Sequence, residues 1–213
     1  MFYLAKTPKW IAKLYGNSVW EVPDTEKNIY LTFDDGPHPE ITPLVLEELD
    51  KYGAKASFFC IGSNVVRNPS VYAEIIKRGH TTGNHTHQHL NGWKTRTRDY
   101  IGDIIKARGY IDSSFFRPPY GKCTKKQRRE LLKLNEPFRL IMWTVLSGDF
   151  DKGISSQQCC DNVINNAGSG SIVVFHDSEK AKERMLYSLP RVLDHFSQRG
   201  YSFKKLDLEL LKK

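Results

Sequence analysis

The sequence predicts an α/β fold in which about seven parallel strands form a barrel covered by helices. Short apolar runs alternate about seven times with segments that repeat apolar residues every three or four positions. Several of the helix-like segments end at a glycine, the residue favoured at the end of a helix. Seven such units in 213 residues fit a barrel better than an open sheet, although spacing alone also allows a doubly wound fold.

The predicted elements fill the chain from residue 28 to residue 206. The strands, in order, are "NIYLTF", "KASFFCIG", "HTTGNH", "SSFFRPP", "LIMWTVL", "SIVVFHD" and "YSFKKL". The helices between them are "TPLVLEELDKYG", "PSVYAEIIKRG", "RDYIGDIIKARGYI", "KKQRRELLKLN", "SQQCCDNVINNAG" and "RMLYSLPRVLDHFSQRG". We predict a single domain over residues 1–213, in which residues 1–25 pack on the barrel as an N-terminal extension.

The composition, with 39% hydrophobic and 26% charged residues, is ordinary for a globular protein. No apolar run approaches the roughly 18 residues of a membrane span, so none is predicted. Lys6, Lys9 and Lys13 interrupt the N-terminal apolar residues, so the continuous apolar stretch of a secretory signal is lacking. Either the protein stays in the cytoplasm, which we expect, or the signal is absent from this sequence, or export uses another route. The four cysteines include no C-x-x-C pair and provide no disulfide framework.

The formal charge of +8 and the pI near 9.2 raise the question of an anionic partner. The lysines are spread along the chain, and only "KKQRRE" is densely basic. That segment has a helical pattern, so a solvated helix face explains it. We therefore predict no nucleic-acid binding.

Ionisable residues follow five of the predicted strands. They are Asp34 and Asp35 after the first strand, His85 and His89 after the third, Arg117 after the fourth, Asp149 after the fifth, and His176 after the sixth. In barrels and open α/β sheets, reactive groups gather at the carboxyl ends of the strands. This convergence is the main indication of a catalytic site.

The segment "NHTHQH" indicates a metal site. His85 and His89 are four residues apart and can turn toward one ion, whereas His87 is offset and should face away. A carboxylate from a neighbouring strand end would complete the two-histidine, one-carboxylate set of catalytic zinc. Of the adjacent Asp34 and Asp35, one can bind the metal while the other accepts a proton from water. A polar loop with unrelated histidines, and two acids that cap a turn, are the alternatives.

Five segments resemble the motifs of the polysaccharide deacetylases, the NodB-homology domain of carbohydrate esterase family four. They are "TFDDGP", "HTHQH" in the pattern H-T-x-x-H, "RPPYG", "SGDF" and "VVFHD". The resemblance extends from residue 28 to about residue 206 and implies a distorted (β/α) barrel of seven strands. It also implies metal-dependent removal of N- or O-acetyl groups from sugars.

The resemblance assigns roles to the first three motifs. Asp35, His85 and His89 would hold a divalent metal, which we expect to be zinc, with cobalt or nickel as alternatives. Asp34 would be the general base, and Arg117 would fix it through a charge-assisted hydrogen bond.

The resemblance also implies a general acid and a hydrogen-bond donor to the oxyanion. His176 would protonate the leaving amine, and Asp149 would orient His176. The backbone N–H of Tyr120 would help to stabilise the tetrahedral oxyanion.

Two motifs depart from the family pattern. In the fourth motif, usually Asp-x-x-Asp-Trp, Leu146 replaces the first aspartate, and Phe150 replaces the tryptophan that forms a wall of the sugar groove. Phe150 can still stack on a sugar ring, with less area. In the fifth motif Val173 replaces a leucine, and we expect it to leave slightly more room around the acetyl methyl group.

The expected function is therefore hydrolysis of N-acetyl groups on N-acetylhexosamine units of a chitooligosaccharide or peptidoglycan. An O-acetyl esterase acting on xylan, a ring amidase and an inactive sugar-binding homologue are the alternatives. We expect a monomer. A cytoplasmic location conflicts with a glycan substrate, which would place the protein at the cell envelope.

Overall fold

The computed structural model describes residues 3–16, 18–23 and 26–209, and shows a curled sheet of parallel strands inside a layer of helices. The strands are β1 (Asn28–Asp34), β2 (Ser57–Cys60), β3 (Thr81–Asn84), β4 (Phe115–Phe116), β5 (Arg139–Leu140), β6 (Val145–Leu146), β7 (Ile172–His176) and β8 (Ser202–Phe203). Seven of them follow the order β5-β4-β3-β2-β1-β7-β6, and β8 pairs with the start of β1. All these pairings are parallel, which confirms the predicted barrel-type fold.

The helices, apart from the first, cover the outer face of this sheet. They are α1 (Lys9–Leu14), α2 (Ile41–Lys51), α3 (Gly62–Arg67), α4 (Pro69–Lys77), α5 (Thr97–Arg108), α6 (Lys125–Leu132), α7 (Ser156–Ile164) and α8 (Lys182–Ser197). The six predicted helices are confirmed as α2 and α4–α8. Helices α1 and α3 were not predicted, because six residues carry too little periodicity to indicate a helix. No helix within the described ranges is long and apolar enough to cross a membrane.

The predicted strand "LIMWTVL" is in fact two short strands, β5 and β6. Between them, residues 141–144 bond partly to the N-terminal segment, while the N–H groups of Ile141 and Thr144 still donate to carbonyls of β4 and β7. The N–H of Met142 donates to the Val19 carbonyl at 2.7 Å, and the Thr7 N–H donates to the Thr144 carbonyl at 2.8 Å. One apolar run thus has three successive backbone partners, which its sequence pattern does not reveal.

The N-terminal segment contacts the two edge strands of the sheet. Lys6 forms a bridge to Val145 of β6, and the Val19 N–H donates to the Leu140 carbonyl of β5 at 2.8 Å. Residues 1, 2, 17, 24 and 25 of the predicted extension lie outside the described residues.

Strand alternation separates two apolar layers. Phe33 and Phe175 face the helices with their rings stacked at 6.0 Å, whereas Tyr30 and Ile172 face the barrel interior. Val173 belongs to the helix-facing layer. The expectation that Val173 shapes the space around an acetyl group is therefore wrong, because it lies three residues from His176 and strand side chains alternate between faces.

Candidate active site

The site begins where β1 and β7 end side by side. Asp34 is the last residue of β1, and its register partner is His176, the last residue of β7. Adjacent strands lie about 4.8 Å apart, and register partners project to the same face. The two strands therefore bring a carboxylate and an imidazole to one place at the rim of the barrel.

Three side chains next to this pair form a cluster of metal-ligand type. Donor atoms of Asp35, His85 and His89 all lie within 4.8 Å of one another. The Oδ1 atom of Asp35 is 3.8 Å from Nε2 of His85 and 3.2 Å from Nε2 of His89. In the described part of the chain this is the one group of three or more such residues that meets this distance condition.

The imidazole of His85 is prepared to act as a ligand. Its Nδ1 atom lies 2.7 Å from the Arg117 carbonyl oxygen, and because a carbonyl only accepts, Nδ1 carries the proton. Burial lowers the pKa of His85 to about 4, so the ring is neutral near pH 7. The lone pair on Nε2 therefore faces Asp35, as a metal-ligating histidine requires.

The backbone turns Asp34 and Asp35 toward different partners. Asp35 has a φ of 82°, in the left-handed region, so the chain leaves the strand direction at that residue. Asp34 stays in the strand and pairs with Arg117, while Asp35 joins the two histidines. Burial opposes ionisation of Asp35, but a hydrogen bond from His89 and the charge of His176 lower its pKa overall.

Arg117 fixes Asp34 from inside the barrel. Its guanidinium is fully buried and donates to Asp34 Oδ1 at 2.7 Å. Further bonds go to the Thr32 hydroxyl at 2.7 Å and to the carbonyls of Ile141 and Met142 at 3.2 and 3.0 Å. A buried cation needs such partners, and together they fix the guanidinium in a single position.

Asp149 holds His176 in a second buried ion pair. Its carboxylate oxygens lie 2.7 Å from Nδ1 of His176 and 2.6 Å from its backbone nitrogen. Burial alone would lower the pKa of His176, but the Asp149 carboxylate outweighs it and raises the pKa to about 10. The imidazole is therefore held protonated, and its Nε2–H remains available as a donor.

Two aromatic rings stand beside these groups. The Tyr120 ring packs on His89 with centroids 4.7 Å apart, and Phe150 packs on His176 at 5.3 Å. Tyr120 has a φ of 60° and a side chain that is 54% exposed. The structure thus brings together all eight residues that the sequence indicated, whereas their roles stay predictions.

Asp177 joins the two strand ends and was not assigned a role from the sequence. It accepts hydrogen bonds from the Gly36 N–H at 3.1 Å and from the Thr42 hydroxyl. A Cβ atom at Gly36 would overlap the Asp177 carboxylate, which explains the glycine. Burial raises the pKa of Asp177 to about 7. Its place in "VVFHD", directly after a predicted site residue, was the available signal.

Asp103 supports the histidine loop and was also missed. From helix α5, its Oδ2 atom accepts the backbone N–H groups of His87 at 2.8 Å and Gln88 at 3.0 Å. Thr86 and His89 in this loop have φ values of 64° and 54°. The carboxylate thus stabilises an unfavourable backbone conformation between the two histidine ligands. Nothing in the helix pattern distinguishes Asp103 from a surface acid.

Three other histidines lie apart from the cluster. His87 is buried and packs on Tyr110, with ring centroids 5.7 Å apart, so it faces away as predicted but is not solvent-exposed. His80 accepts the Ala56 N–H at 3.1 Å, and His38 accepts the Glu40 N–H at 3.2 Å. These are structural positions.

The arrangement fits a divalent metal. Two imidazole nitrogens and one carboxylate oxygen would provide the three-ligand set of catalytic zinc sites, which leaves further positions open. A fixed carboxylate and a protonated imidazole adjoin this set. Together these groups have the chemistry needed to activate water and to protonate a leaving group.

A family model described as polysaccharide deacetylase matches residues 21–137, more than half of the chain. The match contains the histidine cluster, Asp34, Arg117 and Tyr120. Asp149 and His176 lie beyond its end.

Individual proteins similar to this chain have related names. A peptidoglycan-N-acetylglucosamine deacetylase of Bacillus cereus is 33% identical over 196 residues, covering 88% of this chain and 90% of the relative. A chitooligosaccharide deacetylase of Azorhizobium caulinodans is 29% identical over 177 residues, covering 79% and 82%. A crystal structure of a peptidoglycan N-acetylglucosamine deacetylase, in complex with 4-naphthalen-1-yl-N-oxidanyl-benzamide, superposes with a TM-score of 0.84 at 30% identity. That alignment covers 94% of this chain and 95% of the other.

Proposed function

Because this chain belongs to the polysaccharide deacetylase family, we propose that it removes N-acetyl groups from N-acetylglucosamine units of peptidoglycan in a metal-dependent reaction. The family assignment makes the protein a hydrolase that acts on acetylated glycans. Chitooligosaccharides are the related substrate class, since a relative of nearly the same identity carries that name. The metal-type cluster beside Asp34 and His176 is the observation that carries the proposal.

Asp35, His85 and His89 would hold the cation, which we propose to be zinc. Such a cation, when bound, makes water more acidic and polarises the acetyl carbonyl. The three residues supply one negative charge, so the site keeps a net positive charge when a divalent ion occupies it. That charge also offsets the repulsion between Asp34 and Asp35.

Asp34 would act as the general base. Its carboxylate is held in place by Arg117 at 2.7 Å and lies one residue from the metal ligand Asp35. It can therefore accept a proton from a water molecule that attacks the acetyl carbon. The buried guanidinium would keep this carboxylate oriented while the proton is transferred.

His176 would act as the general acid. Its Nδ1 atom is bonded to Asp149, so the opposite nitrogen, Nε2, would donate a proton to the amine as the C–N bond breaks. The pKa of about 10 means that His176 is protonated near pH 7 before the substrate binds. The backbone N–H of Tyr120 would assist by donating to the oxyanion of the tetrahedral intermediate.

Acetate release from a panel of substrates tests this proposal. The panel contains peptidoglycan fragments, N-acetylated chitooligosaccharides and O-acetylated xylan, each assayed with and without a chelator. We expect release from the N-acetylated glycans, loss of activity with chelator and recovery on adding zinc, with cobalt and nickel as comparisons.

Other outcomes would contradict specific parts. Release that resists complete metal removal would refute metal dependence. Release from xylan alone would indicate an esterase, and glycan binding without any release would indicate an inactive sugar-binding protein.

A further inference from the structure

An exposed tryptophan lies close to the site in sequence and has no part in the proposed chemistry. Trp93 is 61% exposed and lies in a short 3-10 turn, Gly92–Lys94, four residues after His89. Removing a large apolar ring from water is favourable, and it happens when another group packs on the ring. Its location therefore raises the question of which group covers Trp93.

The turn that carries Trp93 is rigidly held. The Asn91 side chain accepts the Trp93 N–H at 3.0 Å. The amide of Gln127, which is fully buried, donates to the Gly92 carbonyl at 2.8 Å and to the Thr95 carbonyl at 3.2 Å. The ring is therefore presented from a fixed backbone, so little conformational entropy would be lost when a ligand packs on it.

A lysine accompanies the ring. The Nζ atom of Lys122 lies 5.2 Å from the Trp93 ring centroid. The two backbone segments are in contact, because a Cβ atom at Gly92 would overlap the Lys122 carbonyl oxygen. Lys122 lies two residues after Tyr120, whose ring packs on His89. Trp93 and Lys122 thus continue the rim of the site beyond Tyr120.

An indole face beside an ammonium group fits a particular ligand chemistry. The apolar face of a sugar ring can pack on the indole, as aromatic groups do in carbohydrate sites, and the ammonium can pair with a carboxylate. The formal charge of +8 favours an acidic polymer over a neutral one. Both features can be satisfied by one acidic sugar unit.

We propose that Trp93 and Lys122 form a binding subsite for a carboxylate-bearing sugar unit of the glycan, next to the unit that is deacetylated. This inference rests on the proposed function and specifies its substrate: an N-acetylated glycan with acidic units.

Steady-state kinetics of Trp93→Ala and Lys122→Gln test the subsite. The substrates are N-acetylated oligosaccharides of equal length, with and without carboxylates. Trp93→Ala should raise KM for both by roughly threefold to tenfold, an effect of the size expected for a stacking or cation–π contact, and change kcat less. Lys122→Gln should raise KM for the acidic substrate by a similar factor and for the neutral one much less.

Conservative variants and a surface control sharpen the result. Trp93→Phe and Lys122→Arg keep a ring and a cation. Each should therefore raise KM by less than half as much, on a logarithmic scale, as Trp93→Ala and Lys122→Gln do. Ile105→Ala removes a 47% exposed side chain on α5 and should behave as the wild type. An unchanged KM in Trp93→Ala, or an equal effect of Lys122→Gln on both substrates, would overturn the proposal.

Calorimetric binding separates this proposal from the proposed function. If the wild type releases no acetate, its affinity for the acidic oligosaccharide still tests the subsite, with a threefold to tenfold loss expected in Trp93→Ala. Equal affinities of wild type and Trp93→Ala, or no binding by the wild type, would refute the subsite whatever the acetate assay shows.

Discussion

Two consecutive aspartates, Asp34 and Asp35, have different partners because the backbone changes conformation between them. Asp34 ends a strand and faces the buried Arg117, whereas the left-handed φ of Asp35 turns its carboxylate toward His85 and His89. The sequence indicated that one acid binds a metal and the other accepts a proton. The assignment of the two roles to Asp34 and Asp35 came from the family resemblance, because the alternation of side chains alone does not distinguish the two residues.

Asp34→Asn tests the base at the residue scale. Asparagine can still accept a hydrogen bond from Arg117 through its Oδ1 atom, so the fold and the neighbouring ligands should be kept. We expect kcat for acetate release to fall by roughly 10² to 10⁴, the usual contribution of a general base, with zinc content unchanged. Turnover within a few-fold of wild type would remove Asp34 from this role.

His80 provides a pH test that does not involve the site. Burial lowers its pKa in the folded protein to about 4, below the ordinary value of 6.5. As the pH falls from about 6.5 to about 4, the unfolded chain binds a proton that the folded protein excludes, so stability is lost over this window. His80→Gln should remove this component.

Urea unfolding at about pH 7 and about pH 4.5 measures the effect of His80. The free energy of unfolding should fall in both proteins between the higher and the lower pH. The fall should be smaller in His80→Gln than in wild type, by roughly 2 to 3 kcal/mol. An equal fall in both proteins would show that His80 is protonated with ordinary affinity in the folded state.

At the element scale, helix α5 determines the conformation of the loop that follows β3. Asp103 on this helix accepts two N–H groups of the loop between His85 and His89. Sequence reasoning found the histidines, because a metal site uses particular residue types. It did not find Asp103, because a carboxylate that binds a distant backbone has the same helical pattern as an exposed one.

Asp103→Ala tests this support. Removing both hydrogen bonds should lower the zinc affinity by roughly 10- to 100-fold, the usual range for groups that orient metal ligands. Asp103→Asn keeps one acceptor oxygen and should lose less. Zinc affinity is measured by competition with a chelator.

The matched control is Asp99→Ala on the same helix, since Asp99 is exposed and pairs only locally with Arg96 at 2.9 Å. Its zinc affinity should equal that of wild type. If Asp103→Ala binds zinc as tightly as Asp99→Ala, the loop keeps its conformation without the two hydrogen bonds to Asp103.

The elements that the sequence predicted correctly are those with a regular pattern. Helices α2 and α4–α8 each bury apolar residues on one face. Strands β1, β2 and β7 are short, mostly apolar runs that are almost entirely buried. Helix α3 and the division of "LIMWTVL" depend on contacts between distant segments. For the second of these, the deciding partners are the backbone groups of Ala5, Thr7 and Val19, which no local pattern indicates.

At the scale of the whole molecule, a bound metal should stabilise the fold. Zinc at about 100 times its Kd would add about 2.7 kcal/mol to the free energy of unfolding if it binds the folded state alone. For a domain of this size that corresponds to a rise in Tm of roughly 5 to 10 °C. Thermal unfolding with and without zinc measures it.

His89→Ala should abolish most of this rise, because it removes one of the three ligand atoms. His195→Ala, on the outer helix α8, should keep it. A zinc-dependent rise that survives loss of His89 would place the metal elsewhere.

The overall fold was more predictable from the sequence than the arrangement of the strands at the ends of the sheet. Alternating strands and helices indicate a parallel barrel, since parallel strands need covering helices and right-handed connections. The sequence does not reveal that β5 and β6 remain unpaired with each other, or that β8 fits beside the start of β1. These features depend on strands of two residues, too short to produce a periodic pattern.

Four non-glycine residues in or beside the cluster have a left-handed backbone: Asp35, Thr86, His89 and Tyr120. This conformation costs roughly 1 to 2 kcal/mol for each residue with a Cβ atom, and glycine would avoid it. Selection for heat resistance alone would therefore favour glycine at these positions, whereas selection for turnover would retain the present side chains. The rim of this barrel is accordingly where evolved thermostability and catalytic performance should conflict first.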